Sequence, residues 1–196
     1  MARTLIVIRG GGDLGSGVAH RLHISGYDVA ILELPQPTVI RRMVAFAPAV
    51  FDGSTTVEGV TARRVSNVAE ARQALSERVI PVRVDPQGQR LPELQPVALI
   101  DARLAKRNLG TSIADAPVVI ALGPGFVAGV DAHAVIETQR GHDLGRVIWR
   151  GSALPNTGVP GDIGGEGSTR VLRAPSEGML RGLCQIGDYV RAGEVV

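Results

Sequence analysis

At 196 residues, with 44% hydrophobic and 20% charged positions, the chain can bury one substantial core plus a small second unit, in the composition ordinary for a soluble globular protein. Its net charge of +2 comes from dispersed arginines, with Lys106 the single lysine, so no nucleic-acid footprint and no polybasic membrane patch is expected. One cysteine, Cys184, leaves no internal disulfide and cannot alone build a structural zinc site. With no signal-peptide pattern and no apolar run near 18 residues, a cytoplasmic protein is expected.

Aromatic residues are only 3% of the chain, so the core must come from Val, Ile, Leu and Ala, which suits buried parallel strands under helices. Residues 4–9 form a short apolar run that reads as a buried strand. The turn Gly10-Gly11-Gly12-Asp13-Leu14-Gly15-Ser16-Gly17 follows directly, and Leu14, Val18 and Leu22 then recur as one face of a helix. Gly26 stands where a helix ends, and a second strand runs from Tyr27 to Leu32 and stops at Glu33.

Beyond Pro35-Gln36-Pro37, Thr38 is placed to cap a helix reaching Phe46, with Pro48 as its stop. Residues 61–65 read as a strand. Asn67 and Glu70 form a capping box for a helix to about Arg78. Further strands are expected at 80–84, 97–100 and 118–122, the last two ending at Asp101 and Gly123. This alternation predicts an α/β fold of Rossmann type, a doubly wound and mainly parallel sheet over residues 1–129. Residues 134–137 and 146–149 read as a hairpin. Together with a loop rich in glycine and proline they make up a middle segment, 130–169. From 170 to 196, strands at 171–172, 179–186 and 189–196 suggest a small β unit.

The strongest site signal is Gly10-x-Gly12-x-x-Gly15 between a strand and a helix, in a run continuing to Gly17. Glycine there permits a tight turn, lets Gly10, Gly11 and Gly12 bring backbone close to a pyrophosphate, and packs helix on strand. Glu33, 21 residues past Gly12, is at the distance of an acid that bonds an adenosine ribose. Asp13 would repel a phosphate in this turn; helix capping is the favoured role, with a metal bridge to phosphate as the alternative. Arg41 is near enough to reach a phosphate, and Glu33 beside it favours an NAD-type ligand over one with a 2′-phosphate. Gly123-Pro124-Gly125 repeats the G-x-G pattern at another strand end, but too little chain follows for a crossover helix, so it reads as either a ligand loop or a tight turn. Asp101 with Arg103 is a further strand-end candidate. His20 and His23 read as helix-surface residues; His133 and His142 lack a third ligand, so no transition-metal site is expected. No catalytic nucleophile stands out.

Several longer runs carry a family resemblance across nearly the whole chain. They are Gly-Gly-Gly-Asp-Leu-Gly-Ser-Gly-Val-Ala-His-Arg-Leu (10–22), Pro-Thr-Val-Ile-Arg-Arg (37–42), Asp-Ala-Arg-Leu-Ala-Lys-Arg-Asn (101–108), Leu-Gly-Pro-Gly-Phe (122–126), Ile-Glu-Thr-Gln-Arg-Gly-His-Asp-Leu-Gly-Arg-Val-Ile (136–148) and Pro-Asn-Thr-Gly-Val-Pro-Gly (155–161). Together they resemble the YqeB-type accessory proteins linked to selenium-dependent molybdenum hydroxylases, with XdhC-type maturation proteins as distant analogues. The resemblance implies a bacterial or archaeal maturation factor and a pathway, with no catalytic residues to carry over. Residues 173–178 and 186–195 are similar to the first half of a biotinyl/lipoyl-type barrel. No lysine follows Lys106, so covalent biotin or lipoate is not expected here. Members of the family run longer, which makes a truncated chain the expectation.

The leading functional expectation is an accessory protein for a molybdenum hydroxylase. It would bind an NAD-type dinucleotide, or a nucleotide-bearing molybdenum cofactor, at Gly10–Gly17 and Glu33 and serve the apo-hydroxylase as partner. The alternatives are an NAD-dependent oxidoreductase drawing on His133, Asp101 or Lys106, and a non-catalytic scaffold that docks the hydroxylase. Homo-oligomerisation stays open.

Overall fold

A computed structural model of the chain describes residues 3–159, 161–178 and 181–196, with residue 170 described by its backbone. The chain divides into two compact units, residues 1–156 and 157–196.

The first unit is built on a nine-stranded sheet. Its strands are β1 (Leu5–Arg9), β2 (Asp28–Glu33), β3 (Ser54–Val57), β4 (Val60–Val65), β5 (Ile80–Val84), β6 (Ala98–Asp101), β7 (Val118–Leu122), β8 (Ala134–Ile136) and β9 (Val147–Ile148), in the spatial order 3-4-5-2-1-6-7-8-9. Seven strands from β4 to β8 run parallel, and each edge is finished by an antiparallel hairpin partner. Strand order reverses at β1: β2 lies on one side of it and β6 on the other. Such a reversal opens a crevice at the carboxyl ends of the strands.

Alternation along β1 explains the two covered faces. Ile6 and Ile8 point into a core with Val29, Ile31, Ile80, Val82 and Phe46, whereas Val7 faces a second core with Ala30, Leu32, Leu99, Val119 and Val135. Helix α1 (Asp13–Ile24) and the short α2 (Ala49–Asp52) pack on the first face, through Ala19, Ala49 and Val50. On the other side, α3 (Val68–Ser76) brings Ala71 and Ala74 onto Val65, and α4 (Leu91–Leu94) contributes Leu91. The links from β6 to β7 and from β7 to β8 contain no helix.

The helix expected from Thr38 to Phe46 is absent: the segment holds only a 3-10 turn at Arg42–Val44. The backbone N–H groups of residues 46 and 47 are occupied elsewhere, for Phe46 N–H donates to Ser16 Oγ and Ala47 N–H to the Gly11 carbonyl. Pro48 starts a helix instead of stopping one, as the N-cap of α2, where its missing N–H costs nothing. Strand β3 was not foreseen. It joins β4 through Glu58 and Gly59, both at positive φ, the twist a two-residue hairpin favours. The capping box of α3 is present: Asn67 Oδ1 accepts from Glu70 N–H at 2.9 Å, while Glu70 returns to Ser66 N–H and the Asn67 amide. That helix ends at Ser76, two residues short of the expected Arg78.

In the second unit, the described residues contain no strand, only a 3-10 turn at Ser168–Arg170 and an isolated bridge between Ile163 and Glu166. The strands expected at 171–172, 179–186 and 189–196 are therefore not seen; the first two residues of the middle one, Met179 and Leu180, lie outside the described residues. A physical reason is plain. Leu172 and Tyr189 are exposed, and none of the described residues of 157–196 joins a core cluster. Local turns, such as Gln185 N–H on Asp188 and Arg191 N–H on Glu194, are what remains.

Candidate functional site

A cavity of about 950 Å³ opens at the carboxyl ends of β1, β2, β5 and β6, within the range of small-molecule sites. Of the residues singled out from sequence, Gly10, Gly12, Asp13, Glu33, Arg41 and Arg103 line it. Gly11 and Gly15 are buried behind the turn, and Gly17 is exposed on α1.

The glycine turn is shaped by close approach. Gly10 has φ +98°, and a Cβ there would lie 3.0 Å from the Arg103 backbone. At Gly15 a Cβ would fall 2.1 Å from the Gly10 carbonyl oxygen, so only glycine lets α1 begin this near β1. Gly12 is different: it is the N-cap of α1, and a Cβ there would meet nothing within 4 Å. Its backbone fronts the cavity.

Two acids expected at the ligand have partners inside the protein. Glu33 is buried; its Oε2 accepts from Gly11 N–H at 2.6 Å and its Oε1 from Leu34 N–H at 2.7 Å. The carboxylate thereby fixes the turn while still bordering the cavity. Asp13 does not cap α1. Its Oδ2 accepts from Arg41 Nη1 at 2.7 Å, because it sits one residue past the N-cap and a guanidinium is the stronger, charge-assisted partner. Arg41 is thus tied to Asp13 across the cavity wall.

The floor carries residues the sequence reading undervalued. Arg9 ends β1 with its side chain only 3% exposed. Its Nη1 donates to Thr111 Oγ1 at 2.8 Å and to the Gly110 carbonyl, and its Nη2 donates to the Pro86 carbonyl. Burial first, and then the Arg103 guanidinium, draw the Arg9 pKa below the ordinary arginine value, against Asp101, Asp115 and Asp85. Arg103 pairs with the buried Asp101 through Nε and Nη2 and also reaches Thr111 Oγ1 at 3.0 Å. Thr111 in turn donates its hydroxyl to Asp101 at 2.6 Å. Asp101 sits behind this network and does not line the cavity. Asp85, past the end of β5, holds Gln89 and Arg90 N–H groups. The overlooked signal was the charge at the end of the otherwise apolar Leu5-Ile6-Val7-Ile8-Arg9.

Gly123 and Gly125 lie outside the cavity lining. A Cβ on Gly123 would meet Thr138 Oγ1 at 2.6 Å and Leu104, and one on Gly125 would meet the Arg107 backbone at 2.5 Å. This turn supports the 104–107 loop, whose Leu104 does face the cavity.

His23 is buried, against the surface role expected, and burial followed by Arg78 lowers its pKa. His133 Nδ1 accepts from Val119 N–H at 2.9 Å, near the start of β7, whereas Asp101 ends β6; the register puts them toward opposite ends of the sheet. Lys106 is exposed on the loop after β6. His133, Asp101 and Lys106 therefore do not converge. Among the described residues, no group of three His, Cys, Asp or Glu is placed to hold a metal, and no helix is long and apolar enough to cross a membrane.

No family model matches the chain, and no solved structure matches it. Among curated proteins, it is 57% identical over 192 residues to the uncharacterized protein YqeB of Escherichia coli (strain K12), a match covering 98% of this chain and 36% of that protein. The chain thus spans about a third of the length of the relative it matches. Through that identity, carried along 98% of its length, this chain is a YqeB-type sequence.

Proposed function

We propose that the chain is an accessory protein of a molybdenum hydroxylase and binds a nucleotide, or a nucleotide-bearing molybdenum cofactor, in the cavity beside Gly10–Gly17. The carrying observation is that cavity: about 950 Å³ at the point where strand order reverses, fronted by the open N-cap Gly12 and walled by Glu33. The strand order around β1, with a glycine turn leading into α1, supports a Rossmann-like reading of the sheet. Gly10 and Gly12 would approach the ligand through backbone, Glu33 would border the ribose, and Arg41 would contribute charge at the wall. A bound molybdenum cofactor would supply the metal centre that the apo-hydroxylase needs. The resemblance of the motifs supports the hydroxylase as partner, and a bacterial cytoplasm as the setting.

The test is thermal denaturation with NAD(H), NADP(H), ATP, CTP and FAD, comparing the native chain with Gly12→Asp. A ligand at 100 times its Kd adds about 2.7 kcal/mol, or roughly 5–10 °C for a chain this size. A shift from one nucleotide, lost in Gly12→Asp, is the expected result. No shift with any nucleotide removes the nucleotide reading. Unchanged hydroxylase activity and cofactor content after deletion of the gene removes the accessory role.

A further inference from the structure

Arg9 is a buried cation whose hydrogen-bond partners are all uncharged: a threonine hydroxyl and two carbonyls. Its nearest carboxylate, Asp115, is 4.0 Å away and partly exposed. Isolating a guanidinium from water without a close counter-ion is expensive. A second guanidinium makes matters worse. Arg103 donates to the same Thr111 oxygen, and the buried carboxylate between them, Asp101, is held by Arg103 and by the Thr111 hydroxyl. Asp85 is occupied by two backbone amides and Glu33 by two others. Like charges this close repel strongly in a desolvated site, and both line the cavity.

The usual seat for an anion beside this turn is correspondingly poor. Gly11 N–H is committed to Glu33, and the Asp13 carboxylate stands in the first turn of α1. We propose that Arg9 and Arg103 are the anion-reading pair of the cavity: a phosphate or carboxylate of the ligand rests on them, and not on the N-terminus of α1. The assignment deepens the nucleotide reading by locating the ligand's negative charge, but it stands on the arginines themselves. An anion there completes the missing counter-charge of Arg9 and accepts from two guanidiniums, as charge-assisted recognition favours.

The experiment titrates the full chain with inorganic pyrophosphate, with citrate, and with sodium chloride at matched ionic strength. Native protein is compared with Arg9→Met and Arg103→Lys. Arg103→Lys keeps a charge opposite Asp101 but loses the planar fork, so it carries the test should Arg9→Met fail to fold. Pyrophosphate or citrate is expected to bind the native chain, and whichever binds identifies the class of anion. Arg9→Met and Arg103→Lys each weaken that binding by roughly tenfold or more. The proposal is overturned by absence of anion binding or by full binding in the arginine variants. If a nucleotide binds and Gly12→Asp abolishes it while the arginine variants bind normally, the nucleotide reading survives and this one fails. If pyrophosphate binds through the arginines and no nucleotide does, the reverse holds.

Discussion

Two places in the sheet repeat one another. At the first, β1 ends in Gly10-Gly11-Gly12, and Gly10 N–H donates to the carbonyl of Leu32, just before Glu33. At the second, β7 ends in Gly123-Pro124-Gly125, and Gly123 N–H donates to the carbonyl of Ile136, just before Glu137. The strand registers agree too, with Arg9 opposite Leu32 and Leu122 opposite Ile136. They part at the middle residue. Gly11 donates its N–H to Glu33, whereas Pro124 has none to give, and Glu137 instead collects the N–H groups of Thr138, Gln139 and Leu154. After the first turn a 12-residue helix follows and a cavity opens; after the second there is no helix, and the turn packs against residues 104–107. A glycine pair at a strand end is thus a device for close approach. What approaches, ligand or loop, is decided by the residues that come next.

The comparison breaks most sharply at the tightest contacts. Gly15→Ala forces a Cβ to 2.1 Å from the Gly10 oxygen and is expected to cost about 3 kcal/mol or more. Gly125→Ala, at φ +106° and 2.5 Å from the Arg107 backbone, is expected to cost about 2–3 kcal/mol. Urea midpoints rank the two. Equal tolerance at both would mean the turns relax and the close approaches matter little.

A medium effect separates the acids. Burial raises the Glu137 pKa, but the amides of Leu154, Gln139 and Thr138 outweigh it, leaving the carboxyl below the ordinary glutamate value of 4.5. A depressed folded-state pKa means stabilisation that is complete above the unfolded value and lost as pH falls through the folded one. Glu137→Gln is expected to cost about 1–3 kcal/mol near neutral pH, with the difference from the native chain shrinking below about pH 4. A difference independent of pH in denaturant midpoints would show that the charge is irrelevant to this anchor.

The smallest effect sharpens the contrast. Gly12 has open space and N-cap geometry but no capping side chain. Gly12→Ser should therefore stabilise the apo chain by a few tenths of a kcal/mol. A hydroxyl on the cavity wall should at the same time weaken any nucleotide-induced shift in melting temperature. If the shift is unaffected, the ligand does not approach Gly12.

Much of the sheet was legible because β1, β2 and β7 carry apolar runs of Val, Ile, Leu and Ala, and the α3 cap is written in Asn67 and Glu70. The hairpin strand β3 was not: Ser54-Thr55-Thr56 is polar, and only the Glu58-Gly59 step hinted at a turn. The 38–46 segment misled because its local pattern is helical, while its decisive hydrogen bonds run to Gly11 and Ser16, far away in sequence. The glycine turn and Glu33 were found by spacing, yet spacing could not say that Glu33 would bond the turn itself. Arg9 and Thr111 meet only through folding, so no motif announces them.

The pairing of β1 also bears on synthesis. One flank of β1 is closed early, since β2 follows after a single helix, but the other waits for β6, whose Ala98 lies opposite Ile6. As the chain leaves the ribosome, the apolar edge Ile6-Val7-Ile8 stays unpaired on that side until β6, Ala98–Asp101, has emerged. A nascent fragment ending before β6 presents that edge to its neighbours. Slow translation across residues 85–97 would lengthen the exposure, and a chaperone shielding this edge would matter most in that interval.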